Sequence, residues 1–179
     1  MSNLLKTVVV YRSRSGYTKK YAQWIAEDLG CALLEGGKVN VENLSTYDTI
    51  IYGAGLYASG INGINLIKKN YDLLKEKHLI VFVVGASPVR EETTARIRKS
   101  NLLGYEKISF YCLRGGYNGS KLSPFLRFLM KIKICQLKLI RKPNSDAKAM
   151  LTGYKNAVDY TNKKDIEPIL LEVMAKTQI

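Results

Sequence analysis

Short apolar runs alternate along the chain with longer stretches in which apolar residues recur at helical spacing. The runs are rich in Val, Ile, Tyr and Phe and do not alternate with polar residues, which is typical of strands covered on both faces. They predict strands over residues 4–11, 31–34, 49–54, 79–84 and 108–113. The remaining periodic stretches predict helices over residues 17–29, 61–75, 90–102 and 166–175. Strands separated by helices imply right-handed crossovers, so the pattern favours an α/β fold with a parallel sheet and helices on both faces.

The composition fits one folded domain of this kind. Of the 179 residues, 46% are hydrophobic and 24% are charged, which is outside the range of disordered chains. We expect a single domain over residues 1–179. No stretch approaches the roughly 20 apolar residues that span a bilayer, and the first residues lack the features of a signal peptide, so a cytoplasmic location is expected. Cys31, Cys112 and Cys135 are widely spaced and predict neither a disulfide framework nor a metal motif.

The loop between the first strand and the first helix is the first candidate binding site. Ligands of parallel α/β sheets bind at the carboxyl ends of the strands. Hydroxyl groups, unpaired N–H groups and the positive end of a helix dipole can together hold a phosphate dianion without a lysine. The loop carries Ser13, Arg14, Ser15, Gly16, Tyr17 and Thr18. The alternative is that Ser15 or Thr18 only caps the helix. A P-loop is excluded, because the pattern GxxxxGK[ST] does not occur.

The second candidate is the loop predicted after the third strand, residues 53–60. Its three glycines would let the backbone approach a flat ligand, and Tyr57 would cover that ligand with an aromatic ring. Gly53, Gly55 and Ala58 also match a loose dinucleotide fingerprint, which leaves a nicotinamide ligand as a weaker alternative. That fingerprint belongs in the first strand-to-helix turn. The remaining alternative is that Tyr57 is an ordinary surface or core tyrosine.

The order of these two loops resembles the flavodoxin family. More closely, it resembles the flavodoxin-domain group that includes menaquinone-dependent protoporphyrinogen IX dehydrogenases. The resemblance covers nearly the whole chain and is carried by VVVYRSRSGYTKKYAQWIAEDLG, YDTIIYGAGLYASGINGINLIKKN, LRGGYNGSKLSPFLRFLMKIK and DYTNKKDIEPILLEV. It implies a flavodoxin-like three-layer sandwich, in which five parallel strands follow the order 2-1-3-4-5 with helices on both faces. It also implies FMN as the cofactor.

The resemblance further implies which residues contact FMN. Those around the phosphate would be Ser13, Arg14, Ser15, Gly16, Tyr17 and Thr18. Those bordering the flavin ring would be Ala54, Gly55, Leu56, Tyr57 and Ala58, with Gly85, Ala86, Ser87 and Pro88 along its other edge. The loop after the fourth strand lacks the second stacking aromatic of many flavodoxins, so one flavin face would be open or covered only by Tyr117. The role of Arg14 stays open between a charge on the phosphate and a solvent-exposed side chain.

The formal charge of +13 is the strongest compositional anomaly and favours acidic partners. Residues 121–142 form a basic amphipathic segment with no acidic residue. Its basic residues are Lys121, Arg127, Lys131, Lys133, Lys138, Arg141 and Lys142. The segment is either an outer helix with its apolar face on the sheet or a docking surface for an anionic membrane. Nucleic acid is not expected, because no nucleic-acid motif occurs and the basic residues are spread along the chain.

These observations predict an FMN-dependent oxidoreductase of the protoporphyrinogen dehydrogenase type. It would pass electrons from a reduced organic substrate, with protoporphyrinogen IX and heme biosynthesis as the candidate context, to a quinone-like acceptor. The alternatives are a flavodoxin-type electron carrier between redox proteins and a flavin-free binding domain. No catalytic side chain is assigned, because a flavin would carry the chemistry. His78 is expected to pack at the surface. Flavodoxins are commonly acidic, so the positive charge here predicts a less negative flavin potential. A peripheral membrane position would suit a quinone acceptor.

Overall fold

The centre of the fold is a sheet of five parallel strands. The computed structural model describes residues 6–57, 59–117, 124–140, 151 and 157–177. The five strands are β1 (Thr7–Arg12), β2 (Ala32–Glu35), β3 (Thr49–Tyr57), β5 (His78–Gly85) and β6 (Ser109–Arg114). Their spatial order is β2-β1-β3-β5-β6. With the short strand β4 (Gly60–Ile61) left out of the count, this is the predicted order 2-1-3-4-5. The addition is β4, which pairs antiparallel with the end of β3.

Helices cover both faces of the sheet, which explains why the strands are apolar without alternation. Val8 and Val10 of β1 enter one core and Val9 enters the other, and all three are fully buried. The first core lies under α2 (Val41–Leu44), α3 (Asn65–Lys68), α4 (Tyr71–Leu74) and α5 (Glu91–Leu102). The second lies under α1 (Tyr17–Leu29), a 3₁₀ turn (Lys163–Ile166) and α7 (Glu167–Thr177). The predicted α/β class is therefore confirmed.

Two predicted boundaries are wrong around the third strand. Strand β3 continues past residue 54, because Gly55 still pairs with Val84 of β5 and Leu56 pairs with Ile61 of β4. Of the predicted loop over residues 53–60, residues 53–57 therefore belong to β3 and Gly60 to β4; Ser59 is in a turn, and residue 58 lies outside the described residues. The helix predicted over residues 61–75 is two single turns, α3 and α4. The side chain of Asn70, between them, donates to the carbonyl of Leu66 at 2.8 Å and competes with a continuous helix.

A second sheet, of two strands, joins the two ends of a long chain segment that follows β6. Strand β7 (Gly116–Tyr117) pairs antiparallel with β8 (Val158–Asp159), and we call this pair the stem. Helix α6 (Pro124–Lys138) lies in the chain between the two strands. The stem is fixed to α1, because Tyr17 Oη donates to the carbonyl of Val158 at 2.9 Å and Lys20 Nζ lies 2.8 Å from Asp159 Oδ2. Residues 118–123 and 141–150, which include both ends of the predicted basic segment, lie outside the described residues.

The amino ends of β5 and β6 are joined to α7 by a cluster of polar side chains centred on Glu172. Ser109 Oγ and Tyr111 Oη donate to the two carboxylate oxygens of Glu172 at 2.5 Å each. His78 Nε2 lies 2.8 Å from Glu172 Oε1, and its Nδ1 lies 3.5 Å from Thr49 Oγ1. His78 is therefore half-buried in a hydrogen-bonded cluster, not packed at the surface as predicted.

We expect this cluster to make the free energy of unfolding depend on pH in the acidic range. Burial would raise the pKa of Glu172, but the hydrogen bonds from Ser109, Tyr111 and His78 outweigh it and hold the pKa below the ordinary value of 4.5. A carboxylate with a lowered pKa stabilises the fold above its ordinary pKa and loses that contribution as the pH falls through its pKa in the folded protein. Glu172→Gln should lower the free energy of unfolding by about 1–2 kcal/mol near neutral pH.

Urea unfolding of wild type and Glu172→Gln between pH 7 and pH 3 tests this expectation. The difference between the two proteins should be constant above pH 5 and should shrink as the pH falls below about 4.5. A difference that stays the same down to pH 3 would show that the charge of Glu172 contributes nothing to the fold.

Candidate functional site

The turn between β1 and α1 is built around Gly16. Its φ of 95° lies in the left-handed region, which glycine adopts without strain. Ser13 Oγ accepts a hydrogen bond from the Gly16 N–H at 3.1 Å, and the Gly16 carbonyl accepts the first helical bond, from Lys20. Among the described residues, no side chain caps the N-terminus of α1. The alternative in which Ser15 or Thr18 only caps the helix is therefore wrong, and among the described residues the N–H groups of the first turn have no side-chain acceptor.

An open pocket of about 450 Å³ lies in front of these N–H groups. Two cations, Arg14 and Lys19, and one anion, Glu35, stand around it, and all three side chains are exposed. The positive end of the α1 dipole adds to the excess of positive charge. The complete lining is Tyr11, Ser13, Arg14, Ser15, Gly16, Lys19 and Glu35. The pocket therefore favours an anion.

Tyr17 and Thr18, which the sequence also assigns to the phosphate, do not line this pocket with their side chains. The ring of Tyr17 turns to the stem, where a Cβ on Gly116 would come within 2.7 Å of it. Thr18 is only 3% exposed. The contribution that both residues can make to an anion in the pocket is therefore that of the backbone N–H groups at the start of α1.

Arg14 connects the two loops that the sequence singles out. Its guanidinium carbon lies 5.1 Å from the centroid of the Tyr57 ring, which is a cation–π distance. The Tyr57 ring folds back over Gly55, so that a Cβ on Gly55 would lie 3.1 Å from the ring. Burial raises the pKa of Tyr57, and the charge of Arg14 opposes that shift. The structure thus places an aromatic ring beside the anion pocket with Arg14 between them.

The other predicted site residues lie in three places. Ala54 and Gly55 are buried within β3, and Ala54 is 0% exposed in the hydrophobic core. Leu56 covers Gly85, whose Cβ position would be 3.6 Å from the Leu56 side chain. After Gly85, Ala86 and Ser87 are exposed and Pro88 is half-buried; Tyr117 is half-buried in the stem, and Ala58 lies outside the described residues.

Sequence reasoning missed three residues that line the pocket, Tyr11, Lys19 and Glu35. Tyr11 and Glu35 are paired in register across β1 and β2, so both stand at the carboxyl edge. The predicted second strand ended one residue before Glu35, which hid this pairing. Lys19 directly follows the predicted loop, and its place in the first turn of α1 was the signal that could have found it.

The fold and the pocket together define a doubly wound α/β protein with an anion site at its first strand-to-helix turn. Residues 8–140 match the family model described as the flavodoxin domain. Because that match covers well over half of the 179 residues, the chain belongs to the flavodoxin domain family. The chain matches no curated protein.

Among solved structures, the chain is similar to a flavodoxin from the domain Archaea, with 15% identity and a TM-score of 0.42, over 95% of this chain and 99% of that one. It is similar to flavodoxin 2 from Bacillus cereus, with 18% identity and a TM-score of 0.44, over 82% of this chain and 93% of that one. It is also similar to a flavoprotein from Lactobacillus acidophilus NCFM that was crystallised in complex with FMN. The identity is 15% and the TM-score 0.44, over 62% of this chain and 93% of that one.

Proposed function

We propose that this protein binds FMN and uses it to oxidise a reduced organic substrate. The observation that carries the proposal is the juxtaposition of the anion pocket with Tyr57, joined by Arg14. An anion pocket alone fits many phosphate esters. A phosphate site with an aromatic ring beside it fits a ligand that has both a phosphate and a flat ring system.

The donor set of the pocket fits a phosphate dianion. Ser13 and Ser15 bring hydroxyl groups, and Gly16 gives the left-handed turn that aims the first N–H groups of α1 at the ligand. Arg14 and Lys19 would neutralise part of the charge. Glu35 opposes binding, but it is exposed at the rim, where water screens its charge. Near the ring, Tyr57 and Leu56 offer the apolar contacts that a flavin requires.

Each of these residues would do a separate task. The β1–α1 turn would hold the phosphate, and Tyr57 would fix the plane of the ring. Arg14 would serve both groups from one position, which gives a role to the residue that the sequence left open. Bound FMN would supply the redox chemistry, because it accepts and returns electrons in a way that no side chain can.

For the reaction itself, we propose electron transfer from a reduced organic substrate to a quinone-like acceptor, with a porphyrinogen as the candidate substrate. Each turnover removes two electrons and two protons from the substrate and adds both to the quinone, which leaves as the quinol. Support comes from the loop after β5, where Ala86 and Ser87 are exposed and residues 86–89 include no aromatic side chain. An open flavin face suits direct contact with an organic substrate.

A flavodoxin-type electron carrier is the second candidate. The exposed cations around the pocket would suit an acidic redox protein as well as an anionic substrate. Steady-state oxidation of protoporphyrinogen IX by the FMN-loaded protein with a soluble quinone separates the two candidates. Turnover that depends on the quinone would support the enzyme. Reduction by a flavodoxin reductase without any turnover of the porphyrinogen would support the carrier.

The charges at the carboxyl edge predict a flavin potential that is less negative than that of acidic flavodoxins. Arg14 and Lys19 line the pocket, against Glu35 alone among the charged residues of that lining. Positive charge favours the more negative, reduced form of a bound ligand. Lys19→Gln should therefore make the two-electron potential more negative by about 20–40 mV.

Potentiometric titration against reference dyes measures this shift. Lys99→Gln removes the same charge from the exposed surface of α5 and should leave the potential unchanged. Equal shifts in the two variants would mean that net charge, and not the charges at the pocket, sets the potential. A wild-type potential as low as that of acidic carriers would contradict the expectation.

A further inference from the structure

Helix α6 presents three faces, and one of them is packed. Ile134 and Leu137 are buried and form a small cluster with Leu151. This cluster is separate from the two cores that cover the sheet. Among the side chains of α6 that the structure describes, the buried ones thus pack in this small cluster and not on the sheet.

A second face is apolar and exposed. At 100° per residue, the three side chains of α6 on this face fall within about 60° of each other, and an exposed leucine directly follows the helix. The three residues are Phe128, Ile132 and Cys135, and the leucine is Leu139. Phe128 is 60% exposed, Ile132 is 42% exposed and Leu139 is 84% exposed. We call this face the apolar stripe. Contiguous apolar patches on a protein surface mark sites of interaction.

A third face, directly beside the apolar stripe, is basic. Arg127, Lys131 and Lys138 are exposed and fall within about 40° of each other, roughly 90° from the centre of the apolar stripe. Residues 121–142 contain seven basic residues and no acidic one. A partner of α6 must therefore be apolar along one line and anionic along the next.

We propose that this face of α6 docks on an anionic lipid bilayer, with the helix lying in the plane of the membrane surface. A bilayer offers the required pair of environments, because the acyl boundary receives the apolar stripe while the lipid phosphates receive the cations. An acidic protein or a nucleic acid would pair with the cations but would leave Phe128 and Leu139 in water. Among the described residues, no helix is long and apolar enough to cross the membrane.

Docking of α6 would also affect the position of the anion pocket, because the stem connects the two. The insertion that contains α6 leaves and rejoins the domain at the stem, and the stem is bonded to Tyr17 and Lys20 of α1. Tyr17 directly follows Gly16 of the anion pocket. A docked α6 would therefore hold the carboxyl edge of the sheet close to the membrane surface, where apolar electron acceptors dissolve.

Sedimentation of the full-length protein with vesicles tests the proposal, and its readout does not require bound flavin. Wild type should bind vesicles of phosphatidylcholine with about 30% phosphatidylglycerol and should not bind vesicles of pure phosphatidylcholine. Lys131→Gln with Lys138→Gln should weaken binding about thirtyfold, or about fivefold per charge. Phe128→Ser should also weaken it at least tenfold.

Matched variants control for general effects of charge and apolarity. Lys99→Gln with Lys107→Gln removes the same charge from exposed positions elsewhere, and Leu103→Ser removes an exposed leucine. These variants should bind like wild type. In addition, the emission of an environment-sensitive fluorophore attached to Cys135 should shift to the blue when anionic vesicles are added. The same fluorophore attached to α5 through Ala95→Cys, in a Cys135→Ser background, should show no shift.

Three results would overturn the proposal. The first is equal binding, or equal absence of binding, to neutral and anionic vesicles. The second is a loss of binding in the Lys99 and Lys107 control as large as in the Lys131 and Lys138 variant. The third is a fluorophore on Cys135 that responds to soluble polyglutamate but not to anionic vesicles, which would assign the face to an acidic protein partner.

Discussion

Ser15→Asp is expected to lower the affinity for FMN by at least about a hundredfold while leaving the affinity for riboflavin within about threefold of wild type. The new carboxylate would stand in the anion pocket at the start of α1, where the phosphate has to bind. Two charges of the same sign in one site repel each other, and the hydroxyl donor of Ser15 is lost as well. Riboflavin lacks the phosphate, so neither effect should reach it.

Fluorescence quenching titrations of the apoprotein with both flavins measure the two affinities. Ser15→Ala removes only the hydroxyl and should lower FMN affinity about tenfold. Asn43→Asp adds the same charge at an exposed position on α2 with almost no change in shape, and it should leave both affinities unchanged. An equal loss for FMN and riboflavin in Ser15→Asp would show that the turn does not bind the phosphate.

Tyr57→Ala is expected to lower the affinity for both flavins by about ten- to a hundredfold. Stacking of an aromatic ring on a flat heterocycle contributes about 1–3 kcal/mol, and this contribution does not depend on the phosphate. The variant also removes the surface over which the Arg14 guanidinium lies. The pattern should therefore differ from that of Ser15→Asp, which distinguishes between the two flavins.

Two variants check that the Tyr57 effect is local. Tyr57→Phe keeps the ring and should bind both flavins within about threefold of wild type. Tyr105→Ala removes a comparable tyrosine, whose ring centroid lies 5.4 Å from Lys68 Nζ. Tyr105 packs in the core on the face of the sheet opposite to α1. It should not change flavin affinity. Retention of wild-type affinity in Tyr57→Ala would remove the ring from the proposed site.

Much of the fold could be predicted from the sequence, because its signals are local. Unbroken Val and Ile runs require cover on both faces, so β1, β3 and β5 were predictable together with the helices around them. The hydroxyl-rich turn was also predictable, since two serines and a glycine stand just before a helical repeat. The anion pocket then follows from the parallel sheet, whose strands all end at one edge.

The rest depends on contacts between residues that are distant in sequence. The extension of β3 through Tyr57 requires its pairing with β4 and β5, and the glycines in this stretch suggested a loop instead. The contact of Arg14 with Tyr57 joins residues 43 positions apart, which no periodicity reveals. The burial of His78 beside Glu172 joins the start of β5 to α7 in the same way. Helix α6 was predicted as amphipathic, and among its described side chains Ile134 and Leu137 are buried whereas Phe128 and Ile132 are exposed.

The most direct test of the central claim is the flavin content of the purified protein. We expect the full-length protein to be yellow, to release FMN on denaturation at about one per chain, and to regain it when the apoprotein is titrated with FMN. Protein that is colourless as purified and that shows no saturable binding of FMN in the titration would contradict the account.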